Sequence, residues 1–91
     1  MNSIHLEIRG RVQGVGFRWF VRETARRLGL SGWVSNRPDG NVELAAAGAE
    51  EALEEFRAAV TNGPPGAVVQ TVENLPAPEG QTLPIPFMIV R

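Results

Sequence analysis

Near the start of the chain Ile4, Leu6 and Ile8 alternate with His5, Glu7 and Arg9. A period of two puts the apolar set on one side of a strand, so residues 3–9 read as a first strand with one buried face. His5 falls on the polar phase and reads as a sheet-surface residue. At Phe17 the period changes. Phe17, Phe20, Val21, Thr24, Ala25 and Leu28 recur at spacings of three and four, the stripe of an amphipathic helix, while Arg22, Glu23, Arg26 and Arg27 fall on the other side. Gly29 then suits a left-handed cap with Leu30 closing over it, so the helix spans about Phe17 to Leu28.

Ser31 to Asn36 reads as a second strand. Arg37-Pro38-Asp39-Gly40 has Pro and Gly where a type I turn leading into a left-handed residue needs them, so Asn41 to Ala47 is the return strand of a hairpin. Gly48 opens a second helix whose apolar face is Ala49, Ala52, Leu53, Phe56, Ala59 and Val60. Glu50, Glu51, Glu54 and Glu55 occupy its first half, where the helix dipole favours acids. Asn62-Gly63-Pro64-Pro65-Gly66 stops it. Ala67 to Val72 reads as a fourth strand, Pro76 to Pro86 as a Pro-rich loop, and Phe87 to Val90 as a short fifth strand.

This order predicts an α+β fold: a ferredoxin-like βαββαβ sandwich with an antiparallel-type sheet. Two helices lie on one face, and a short extra C-terminal strand lies at an edge. One domain covers residues 1–91. A right-handed crossover through the first helix makes strands one and two parallel, with strand three between them. Their carboxyl ends then leave the same edge of the sheet, roughly 10 Å apart. The Gly10–Gly16 loop leaves one of these ends and Asn36 stands at the other.

That edge collects the candidate chemistry. Gly10, Gly14 and Gly16 allow unusual backbone conformations, and no proline removes an amide between Arg11 and Phe17. The loop feeds a helix N-terminus with unpaired N–H groups and a positive dipole end, so it can form an anion-binding nest. The plain alternative is a flexible strand–helix turn. Arg18 lies in the first helical turn, where a cation opposes the dipole by roughly 0.3–1 kcal/mol. A bound phosphate would reverse that sign; otherwise Arg18 is a surface arginine. Asn36 is a poor strand former at a strand end, either the entry to the turn or a neutral amide able to hold a water. Trp19 falls on the polar side of the helix and reads as surface packing.

Composition narrows the chemistry. The chain has 91 residues, no cysteine, one histidine and a formal net charge of -1. Thiol nucleophiles, cysteine-ligated metals and most histidine metal cages are thereby excluded. All positive side chains are arginine, so lysine Schiff-base chemistry is excluded as well. The near-zero charge argues against general nucleic-acid binding. No apolar run is long enough to span a bilayer. The start of the chain lacks an apolar signal core, which gives the expectation of a cytoplasmic protein.

Gly10-Arg11-Val12-Gln13-Gly14-Val15-Gly16-Phe17-Arg18 and Gly32-Trp33-Val34-Ser35-Asn36-Arg37-Pro38-Asp39-Gly40-Asn41-Val42-Glu43 closely resemble the two signature segments of acylphosphatases. Gly63-Pro64-Pro65-Gly66-Ala67-Val68-Val69 and Phe87-Met88-Ile89 also look like that family. The resemblance covers nearly the whole chain. It implies a cofactor-free, metal-free hydrolase that splits the carboxyl–phosphate bond of acyl phosphates and releases inorganic phosphate. It implies that Arg18 holds the phosphate together with the loop residues Gln13, Gly14, Val15, Gly16 and Phe17. It further implies that Asn36 positions the attacking water. Ser35 stands where a basic residue is common, and the Pro76–Pro86 loop looks particular to this chain. Related domains open larger carbamoyl-transfer proteins; ending at Arg91, this chain reads as a free-standing monomeric enzyme without nucleic-acid or membrane partners. Two rivals stand beside it. Gly14-Val15-Gly16-Phe17-Arg18-Trp19-Phe20 superficially resembles an RNA-binding motif, but the first and third strands carry no aromatic residue on which bases could stack. A phosphate-binding module without catalysis is the other.

Overall fold

The computed structural model describes residues 2–14, 16–77 and 82–90. The alternating N-terminal segment is β1 (Asn2–Arg11). It is followed by α1 (Phe17–Arg27), β2 (Ser31–Asn36), β3 (Val42–Gly48), α2 (Glu50–Asn62), β4 (Val68–Asn74) and β5 (Met88–Ile89). The sheet order is β4-β1-β3-β2-β5. β3 is antiparallel to both β1 and β2, so these two run parallel with β3 between them, as the crossover argument requires. β5 joins β2 in parallel at the edge, which makes the sheet mixed.

Register carries the hydrophobic pattern across the sheet. Ile4, Leu6 and Ile8 face Ala46, Leu44 and Val42, and these in turn face Gly32, Val34 and Asn36. Directly opposed residues share a face. This face meets Phe17, Val21 and Ala25 of α1 and Leu53, Phe56 and Val60 of α2, all buried. Phe56 and Phe87 meet edge-on with centroids 5.9 Å apart. Asn36 therefore sits on the helix-covered face, at the end of a row of apolar side chains.

The other face carries paired charges. Arg37 Nη1 donates to Glu43 Oε1 at 2.8 Å, and its Nε lies 3.4 Å from Glu7 Oε2. His5 lies on this face as its phase predicts, with Nε2 2.6 Å from Glu43 Oε2 and Nδ1 2.9 Å from the Pro76 carbonyl.

Element ends differ from the sequence reading in instructive ways. β1 takes in Gly10 and Arg11, which the pattern places in the loop. Gly10 has φ 135° at a register shift against β4, and a Cβ there would collide with the Val68 carbonyl. This glycine serves the close approach of two strands rather than the loop. Gly48 does not open α2. It still pairs with Asn2 as the last residue of β3, and exposed Ala49 is the N-cap, so Ala49 is absent from the packed face. β4 runs further than expected, and β5 is shorter. The end of α1 is as expected: Gly29 N–H bonds Arg26 O at 3.1 Å and Leu30 N–H bonds Ala25 O at 2.9 Å, the paired pattern of a glycine-terminated helix. Among the described residues no helix is long and apolar enough to cross a membrane.

Candidate active site

The loop after β1 starts from Val12, which is buried and anchors it to the core. Gly14 and Gly16 then adopt φ of 73° and 72°. A Cβ at either would meet nothing, so the left-handed backbone, not lack of room, selects glycine. Gly16 is the N-cap of α1 and offers no side chain to the first-turn amides. Its carbonyl accepts the Phe20 N–H at 2.9 Å. No acidic residue lies in that first turn. The positive end of the helix is thus left uncompensated, with amide donors for an anion.

Arg18 adds a cation at that same end. Farther along α1, Arg22 pairs with Glu23 at 3.0 Å and Arg26 donates to the Phe87 carbonyl at 2.8 Å. Arg18 has no such partner among the described residues. Asn36 arrives from the end of β2, and its Oδ1 is buried without a hydrogen-bond partner among them. An amide can present either an acceptor or a donor to a water.

The two segments are tied together directly. Arg37 N–H bonds Asn41 O at 2.8 Å and Gly40 N–H bonds Arg37 O at 3.1 Å, closing the turn after Asn36. Gln13 Nε2 donates to that same Arg37 carbonyl at 3.2 Å. The loop is thereby held against the residue that follows Asn36. Between them lies a cleft of about 200 Å³ whose walls include Gln13, Gly14, Gly16, Phe17, Arg18 and Asn36. Buried Val12 backs the cleft, and Trp19 and Ile89 supply its apolar surface. No Asp, Glu or His occurs among the described lining residues, so Arg18 is the charge that a ligand meets.

Every expected site residue that the structure describes lines this one cleft; Val15 lies outside the described residues. Val12, Trp19 and Ile89 are the additions. The pattern assigned Trp19 to surface packing, although its place beside Arg18 in the first turn was a usable signal. Ile89 is brought in only by the parallel pairing of β5 with β2.

A model of the acylphosphatase family matches residues 4–83. This chain belongs to the acylphosphatase family. An acylphosphatase of Archaeoglobus fulgidus is 49% identical over 73 residues, covering 80% of this chain and 82% of that one. The crystal structure of acylphosphatase from Bacillus subtilis superposes with a TM-score of 0.84 at 44% identity, over the full length of both chains. HypF of T. kodakarensis matches with a TM-score of 0.84 at 32% identity, over all of this chain but 12% of that one. The acylphosphatase fold thus also occurs as a small part of a longer chain.

Proposed function

We propose that this acylphosphatase hydrolyses acyl phosphates to a carboxylate and inorganic phosphate without a metal or cofactor, using Arg18 and Asn36 as catalytic residues. The observation that carries this reading is the single cleft in which the glycine loop, Arg18 and Asn36 meet, neither side chain having a hydrogen-bond or ion-pair partner among the described residues.

The chemistry asks for little more. An acyl phosphate is already activated, and its leaving group is a carboxylate that needs little protonation. Catalysis is then positioning plus neutralisation of phosphate charge. The loop from Gln13 to Phe17, Val15 included, and the guanidinium of Arg18 hold the non-bridging oxygens. Asn36 orients a water for attack on phosphorus. The new P–O bond forms as the bond to the acyl oxygen breaks, and its electron pair leaves with the carboxylate. The water's protons end on phosphate and solvent.

We further infer one catalytic domain over residues 1–91, acting as a monomer in the cytoplasm. In support, the described lining residues of the cleft all come from one chain. The charge-paired open face, with Arg37 paired to both Glu7 and Glu43, does not favour nucleic acid. The deciding experiment is hydrolysis of benzoyl phosphate by purified protein in excess chelator. Turnover is expected. A protein that binds inorganic phosphate yet leaves benzoyl phosphate intact would instead be a binding module.

A further inference from the structure

From the cleft's walls we infer that Trp19 is the acyl-group subsite, giving the enzyme a preference for aryl and other bulky apolar acyl phosphates over small or anionic ones. The inference rests on the proposed hydrolase reading and extends it from the phosphate to the other half of the substrate.

Size is the first argument. At about 200 Å³ the cleft lies below the roughly 300 Å³ at which pockets for drug-sized ligands begin. It holds a phosphoryl group and its immediate neighbours, so a larger acyl group must extend over the rim. Direction is the second. In phosphoryl transfer the attacking and leaving oxygens stand roughly in line, on opposite sides of phosphorus. With the water at Asn36, the acyl oxygen departs on the side away from β2. Ile89 belongs to the strand paired with β2, on the water's side. Val12 and Phe17 are each only 1% exposed and offer no free surface. That leaves Trp19, 59% exposed, as the open apolar surface among the described lining residues.

Chemistry is the third. An indole beside the leaving group can stack on an aryl ring. Arg18 is engaged by the phosphate, and no second cation occurs among the described lining residues. An acyl group bearing another anion therefore finds no partner. An exposed tryptophan alone would mean nothing; one in the wall of this cleft, next to the phosphate-binding arginine, has a ligand to meet.

The test compares benzoyl phosphate with acetyl phosphate for wild type, Trp19→Ala and Trp19→Phe. Trp19→Ala should raise KM for benzoyl phosphate by about threefold to tenfold, the size of one aromatic contact, with kcat nearly unchanged. Acetyl phosphate kinetics and competitive inhibition by inorganic phosphate should stay within about twofold, which also reports an intact fold. Trp19→Phe should keep most of the benzoyl preference. If Trp19→Ala slows both substrates equally, or retains the wild-type ratio between them, the subsite is overturned. If wild type hydrolyses neither substrate, the hydrolase reading itself falls, and the subsite with it.

Discussion

Replacing Asn36 by alanine should separate activity from stability. The amide oxygen of Asn36 is buried without a partner among the described residues, on the helix-covered face beside Val42. Truncation to alanine breaks no side-chain hydrogen bond to a described residue and gives up only modest packing, so stability should change by less than about 0.5 kcal/mol. In a domain of this size that keeps Tm within about 2–4 °C of wild type. The same change removes the group proposed to orient the water, and on that proposal kcat should fall by about a hundredfold or more. Phosphate binding should survive, since the loop and Arg18 are untouched. At about 100 times its Kd, inorganic phosphate should still add about 2.7 kcal/mol of stability to wild type and variant alike. The assay is kcat on benzoyl phosphate alongside thermal melts with and without phosphate. A variant that loses activity and several degrees of Tm together would falsify the reasoning, because Asn36 would then be a structural residue. A variant as fast as wild type would end its role in positioning water.

Arg18→Gln should raise the Kd for inorganic phosphate by about tenfold to a hundredfold by calorimetry, one charged hydrogen bond or more being lost. Its Tm in phosphate-free buffer should hold or rise slightly, because a cation opposing the helix dipole is removed; a clear fall would contradict this. With no Asp, Glu or His among the described lining residues, kcat/KM should be flat from about pH 6 to 8. A limb inside that range would put a titrating group into the mechanism and overturn this scheme. Gly10→Ala should cost at least about 2 kcal/mol in urea unfolding, since a Cβ there strikes the backbone of β4. A loss under about 0.5 kcal/mol would show that the strands can part freely.

Most of the architecture was legible because it is local. The alternation of Ile4, Leu6 and Ile8, the three-and-four spacing from Phe17 and the Pro-Asp-Gly turn each report on neighbours along the chain, and those neighbours select strand, helix and hairpin. Handedness then orders the strands, and with them the shared edge where the glycine loop and Asn36 meet. Element ends were less legible, because Gly10 and Gly48 are claimed by partners distant in sequence: β4 crowding one, β1 pairing with the other. The sequence by itself determined the fold and singled out the glycine loop, Arg18 and Asn36 as candidate site residues. Only the tertiary structure decided that Gln13 braces the loop onto the Arg37 carbonyl, that Asn36 Oδ1 has no partner among the described residues, and that Val12, Trp19 and Ile89 join the wall. Those facts depend on strand register and on helix position across the sheet, and periodicity along one strand or helix carries no information about either.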